Sequence, residues 1–389
     1  MGKWEMVRLG DVCVIVNGFA FDSTLFNENK VGTPIIRIRN VLSGFSNTYS
    51  SEIYDAKYII HSGDILIGMD GEFNIGIWKS DDALLNQRVC KLEDNPIRLN
   101  KKYVYYYLPK ALKVIEEKTA FVTVKHLSSK TLNELKIPLP PLEIQRQIAD
   151  VLDRASALIE KRKAQIEKLD LLVKSQFIEM FGDPVTNPKG WEKQKLGECL
   201  HSIENGVSPN CEVFSASPEK QGVLKLSAIT YGNYQADENK QLLPDTVFNS
   251  RIEVVNKDLL MTRKNTYELV GMSAYVFSTR PGLMLPDLIF RLIPKDSVHR
   301  IYLWQLINCD LFRESIKRLA GGTAGSMPNI SKERLKSLAI PVPSHTLQKD
   351  FAAFVERVET QKALLQESLA KLEVNYKSIT QKCFNGEMF

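Results

Sequence analysis

The chain has 389 residues, more than one hydrophobic core usually organises, so at least two folded units are expected. Apolar residues make up 44% and charged residues 25%, an ordinary globular balance that excludes extended disorder. Lysine and arginine exceed aspartate and glutamate by only 51 to 46, so a surface for a polyanion has to come from local clustering of basic side chains.

The first 135 or so residues read as a mixed α and β unit. The runs TPIIRIRNV, DILIGM, NIGIW and RVCKL have the length and alternation of strands between glycine and asparagine turns, and KYVYYYLPKALKVIEE reads as a helix. In that helix the tyrosines at 103, 105, 106 and 107 fit core packing better than stacking on unpaired bases. Pro138, Pro140 and Pro141 then hold the chain extended and stop any earlier helix from running through. From Ile144 onward, Ile148, Leu152, Ala155, Ile159, Ile166, Leu169 and Val173 follow at alternating spacings of four and three, a heptad seam interrupted only by Arg162. Residues 145–181 as one helix would run about 55 Å. Gly182, Pro184, Pro188 and Gly190 end it and form a short linker.

The order then repeats. WEMVRLGD at Trp4 returns as WEKQKLGE at Trp191, and GVLKLSAI, LLMT and DLIFRLI supply strands before the helical RIYLWQLINCDLFRESIKRL. Ile137, Pro138, Pro140, Gln145 and Phe181 match Ile340, Pro341, Pro343, Gln348 and Phe384, each pair 203 positions apart, so no insertion separates the two copies of this segment. A fixed length is what a rigid spacer requires, whereas upstream the offset drifts from 187, as loops allow. The second seam runs through Phe351, Val355, Val358, Leu365, Leu369, Leu372 and Tyr376, interrupted by Lys362. Neither seam can be buried alone, and each is the other's obvious partner, which predicts an antiparallel pair related by a pseudo-twofold axis. Arg162 and Lys362 occupy non-equivalent seam positions, where they either fix the register or snorkel to solvent.

Catalytic chemistry is not signalled. The glycine-rich loop and Asn-Pro-Pro-Tyr motif of a DNA adenine methyltransferase do not occur, and AGGTAGS at Ala320–Ser326 lacks the strand and helix of a phosphate loop. Glu-x-Lys tripeptides are expected by chance at this charge density. The histidines at 61, 126, 201, 299 and 345 have no metal spacing, and Cys199, His201 and Cys211 lack an apparent fourth ligand. The six cysteines form no Cys-x-x-Cys pair, which points to a reducing cytoplasm. No apolar run approaches the ~18–20 residues of a bilayer span, and MGKWEMVRLGD lacks a signal-peptide core, so neither insertion nor export is expected.

Together, WEMVRLGD and WEKQKLGE, LNELKIPLPPLEIQRQIADVLD and LKSLAIPVPSHTLQKDFAAFVE, and the helix ends MFGDP and CFNGEMF resemble the specificity subunit of type I restriction-modification systems. The resemblance covers the whole chain. It implies an α+β fold: target-recognition domains at 1–143 and 191–346, spacer helices at 144–182 and 347–389 packed as an antiparallel coiled coil, and a linker at 183–190. Each domain would read one half of a bipartite, asymmetric site in double-stranded DNA. The helices would set the spacer and dock two modification subunits carrying S-adenosylmethionine for N6-adenine methylation. Restriction subunits, with ATP and Mg, would join that core, leaving this chain without catalysis or a cofactor of its own. Thr346 stands opposite Glu143, so the usual acidic residue before the glutamine is absent from the second copy. Two alternatives stay open: a non-catalytic coiled-coil adaptor, or service in a related system whose partner fuses methylase and nuclease.

Base and phosphate contacts are expected from arginine, lysine, asparagine and glutamine on loops. The candidates in the first domain are Arg37, Arg39, Gln87, Arg88, Lys125 and His126. In the second they are Lys225, Arg263, Lys264 and Asn329, the last opposite His126. Arg37 and Arg39 share a parity on their expected strand, so both would face one side. For each candidate the competing role is an exposed, solvated surface side chain.

Overall fold

The computed structural model describes residues 4–118, 125–321 and 327–389. It divides into two compact units, residues 1–163 with 367–389 and residues 164–366. Each contains one head and parts of both long helices, so the division runs through the helices rather than at their ends.

In the first unit a four-stranded antiparallel sheet has the order Cys13–Asn17, Val89–Asp94, Ile65–Gly68, Ile75–Ile77. A five-stranded sheet, centred on Thr33–Ile36 with Ala83–Leu85 parallel beside it, lies in the same head. Helices α1 (Lys101–Lys118) and α2 (Ser129–Glu134) follow, and Met6–Arg8 pairs with Lys136–Pro138 to bring the chain to the proline joint. Tyr103, Val104, Leu108 and Leu112 of α1 are buried in one cluster with Ile65, Ile67, Cys90 and Leu92 of the sheet. The tyrosines of α1 belong to this packing, as their helical context predicts: the Tyr103 hydroxyl donates to the Pro138 carbonyl at 2.7 Å and the Tyr106 hydroxyl to Asp153 at 2.5 Å.

The second unit repeats the plan. Leu200–Asn205, Ile289–Pro294, Leu259–Thr262 and Ser273–Tyr275 form the antiparallel sheet in the same order, and Glu192–Lys195 pairs with Ala339–Val342. The helices are α4 (Leu196–Cys199), α5 (Arg300–Asn308), α6 (Arg313–Lys317) and α7 (Lys332–Lys336). The single helix expected from RIYLWQLINCDLFRESIKRL is therefore two. Buried Arg313 opens the second of them, its guanidinium donating to the carbonyls of Gly271 and Val270 at 3.0 and 2.7 Å. Of the glycine-rich stretch at 320–326, only Ala320 and Gly321 fall among the described residues.

The long helices are α3 (Leu142–Phe181) and α8 (His345–Asn385), each beginning two residues before the expected start because the turn after the prolines is already helical. Within each unit they run antiparallel. Lys163 meets Glu373 in the first; in the second Asp170 meets Lys362, and Phe177 packs on Phe351 at 5.6 Å between ring centroids. Burial is greatest where a head covers the seam. Ile148 and Leu152 are inaccessible in the first unit and Phe351 and Val355 in the second, whereas Ile166, Leu169, Leu365 and Leu369 are half-buried. Lys362 is itself buried and bonded to Asp170 at 2.5 Å, which favours a register role over snorkelling.

The same joint fastens head to helix in both units. Fully buried Gln145 donates from Nε2 to the carbonyls of Pro140 and Arg98 at 2.8 and 3.0 Å, and its Oε1 accepts from the Asn100 N–H at 2.7 Å. Fully buried Gln348 donates to Pro343 and Ser297 at 2.8 and 3.1 Å and accepts from the His299 N–H at 2.8 Å. Asn100 and His299 in turn cap α1 and α5, and Tyr302 donates to Pro341 as Tyr103 does to Pro138. The glutamine of the repeat thus satisfies one carbonyl of the proline segment and two backbone groups at the start of α1 or α5, tying the head to the long helix.

Candidate nucleic-acid interface

In the first unit the end of the Ile65–Gly68 strand, the loop before Val89 and the segment before α2 meet at one corner. Backbone bonds fix it: Met69 N–H to Arg88 O at 2.9 Å, Leu127 N–H to Met69 O at 2.7 Å, and Gly71 N–H to Lys125 O at 3.0 Å. Gly71 sits at φ +73°, a conformation that favours glycine and turns the chain directly after Asp70. The side chains of Arg88 and His126 converge on the carboxylate of Asp70. Arg88 pairs with Oδ2, and His126 Nδ1 lies 2.5 Å from Oδ1. Asp70 is 12% exposed, while Arg88 and His126 are 55% and 58% exposed, so the anion is covered and the two nitrogen-bearing groups face outward. Gln87 is exposed beside them, and its N–H donates to the carbonyl of Phe19 at 2.8 Å. Lys125 turns instead to Glu116, 2.8 Å away.

The second unit builds the same corner with other side chains. Arg263 N–H bonds Leu288 O at 3.0 Å, Ile330 N–H bonds Arg263 O at 2.8 Å, and Asn265 N–H bonds Pro328 O at 3.3 Å, matching the three bonds above. Lys264 stands where Asp70 stood and forms the same backbone bridge with Asn329 that Asp70 forms with His126. Arg263 donates from Nε to Asn329 Oδ1 at 3.3 Å, and its guanidinium lies 5.4 Å over the Phe290 ring. Asn329 thus occupies in the second unit the backbone position that His126 occupies in the first.

Arg37 and Arg39 are placed differently from expectation. The strand stops at Ile36, and Arg37 caps a 3-10 turn, Ile38–Asn40, so the shared strand parity does not apply. Both remain exposed; Arg39 donates to Thr48 Oγ1 at 3.3 Å. Lys225 occupies the equivalent cap before the turn Leu226–Ala228 and pairs with Glu238 at 3.5 Å. Glu238 is held below the usual carboxylate range first by the Ser227 hydroxyl and then by Lys225. The alternation IIRIRN and VLKLSA continues through these turns, which is why a strand reading overran them.

Several contributors carry no local signal. Asp70 is separated from Arg88 and His126 by 18 and 56 positions. Gly18 and Gly206 let two equivalent loops press on the sheet: a Cβ there would come within 2.0 Å of Asn86 O and 1.5 Å of Leu285 O. Buried Lys91 and Arg291 each face an aspartate, Asp64 and Asp258, and donate to the carbonyls of Ile59 and Glu253. The repeated Asn-Gly at 17–18 and 205–206 was the available sign of the loops.

Among the described residues no group of three or more histidine, cysteine or acidic side chains is arranged to hold a metal, and no helix is long and apolar enough to cross a membrane. A family model for the type I restriction modification DNA specificity domain matches residues 1–168 and again 188–374. The chain is 29% identical to the EcoBI specificity subunit of Escherichia coli, covering 99% of this chain and 86% of that one. It is 22% identical to the MjaVIII specificity subunit of Methanocaldococcus jannaschii, over 99% and 93%. Its fold is similar to the type I restriction-modification S subunit from M. genitalium, with a TM-score of 0.61 at 15% identity over 98% and 96% of the two chains. With two matches that together span most of its length, the chain belongs to the family of type I restriction-modification DNA specificity domains.

Proposed function

We propose that this chain is the non-catalytic DNA-specificity subunit of a type I restriction-modification complex, each head reading one half of a bipartite, asymmetric target. The observation that carries this reading is the repetition: one specificity domain matched twice, each copy ending in a glutamine joint and a long helix of almost equal length. Two differently furnished corners on one backbone plan suit two different half-sites. The helices act as the spacer and as the dock for two modification subunits, which supply S-adenosylmethionine and methylate adenine at N6. Restriction subunits with ATP and Mg complete the assembly, and the site of action is cytoplasmic DNA.

The test is strand-resolved mapping of N6-methyladenine in cells expressing this chain with its modification subunit, against cells expressing that subunit alone. A split motif present only with this chain is the expected result. Assembly of the complex without new methylation would favour a coiled-coil adaptor instead.

A further inference from the structure

Asp70 is an unexpected residue at the centre of a DNA-facing corner, because a carboxylate repels phosphate and so weakens binding by itself. The fold does not need it. The second unit forms the same three backbone bonds and the same bridge with Lys264 in its place, with Leu288 for Arg88 and Asn329 for His126. What Asp70 does in the first unit is bind two exposed groups at once, one on each carboxylate oxygen. Arg88 engages it through Nη1, and among the described residues no other side chain holds the rest of its guanidinium. A guanidinium has five donors, so the remaining N–H groups can meet the O6 and N7 acceptors of guanine as a fork. Fixing a long side chain before binding removes an ordering cost that an unrestrained arginine bears at the moment of contact.

Resting on the DNA-reading function above, we propose that Asp70 is a specificity-determining positioning residue, holding Arg88 and His126 as a preorganised pair in which Arg88 reads a guanine of the first half-site.

The experiment uses the full chain assembled with its modification subunits and a panel of duplexes in which each base pair of both half-sites is replaced in turn. Arg88→Ala is expected to reduce discrimination at one guanine position of one half-site by between about fivefold and about a hundredfold, the range of one bidentate base contact. Asp70→Asn is expected to reduce it at that same position, Asp70→Glu to restore part of it, and Asp70→Asn to add nothing in the Arg88→Ala background. Preferences in the other half-site should stay as they were. If Asp70→Asn leaves every base preference intact, or slows methylation of all duplexes alike, Asp70 is a structural clip and the proposal is overturned. Should that variant fail to fold, Arg88→Lys keeps the charge and loses the fork, and unchanged discrimination with it overturns the proposal equally. Failure of the unaltered complex to methylate any duplex would instead overturn the underlying function.

Discussion

The joints at Gln145 and Gln348 use the same atoms for the same bonds, whereas the corners at Asp70 and Lys264 share a backbone and little else. The contrast separates two demands on one repeated unit. A joint has to place a long helix at a fixed angle to its head, so its buried amide, its tyrosine and its prolines recur. A corner has only to present side chains, so its backbone bonds recur while Asp70, Arg88 and His126 give way to Lys264, Leu288 and Asn329. The helix seam shows a lesser version: Lys362 lies at the position equivalent to Ile159, trading an apolar contact for an ion pair with Asp170.

The largest difference is expected at the helix ends, which look equivalent in sequence. Phe181 is buried among Tyr302, Phe177 and Phe351, so Phe181→Ala should cost about 3–5 kcal/mol in a urea unfolding series. Phe384 packs on Tyr103 and Tyr107 but is only half-buried, and Phe384→Ala should cost about 1–2 kcal/mol. Equal losses would mean that the two ends are held alike.

Replacing Gln145 or Gln348 with leucine orphans the buried carbonyl of Pro140 or Pro343 and strips two part-buried backbone groups of their partner, so each variant should lose about 1–3 kcal/mol, the cost of one unsatisfied buried group. The two losses should agree closely; a variant that loses stability in only one unit would show that the joints are not interchangeable.

At the two turn caps, Arg37 and Lys225, the effect should be smaller and shared. Arg37→Ala and Lys225→Ala are each expected to lower DNA affinity without changing base preference, and to reduce the dependence of binding on salt by about one released counterion. Binding titrations at several salt concentrations measure this, and a changed base preference would move that residue into direct readout.

The smallest effect concerns the seam around Lys362. Burial pushes the Glu359 carboxyl above its usual value near 4.5, with Lys362 opposing the shift and Asp170 adding to it. The folded state therefore holds that proton more tightly than the unfolded chain. Its contribution is fully present below the unfolded value and is lost as pH rises through the folded one. Glu359→Gln should flatten stability between about pH 4.5 and neutrality and raise it at neutral pH. Superimposable unfolding midpoints for the two proteins across that range would contradict this.

Periodicity made the helices legible: the alternating four and three spacing and the flanking prolines located the starts of α3 and α8 to within two residues, since both effects act locally along the chain, whereas α8 ends at Asn385, four residues before the expected 389. It could not reveal which head receives the end of each helix, because Phe181 and Phe384 look alike until their partners are known. Alternation misled at IIRIRN and VLKLSA, where a 3-10 turn carries on the apolar and polar rhythm of the strand before it. The basic and amide candidates were found by residue type, and several of them do converge. The acid that organises Arg88 and His126 was missed because an aspartate has no positive signature for DNA and its partners are distant in sequence.

Whether each head independently reads its own half of a split site is decided by mapping methylated motifs for complexes carrying Arg88→Ala or Arg263→Ala. The first change is expected to relax one half-site and the second the other, with the spacer between them keeping its length in both. Relaxation of the same half-site by both changes, or a change of spacer with either, would contradict independent reading.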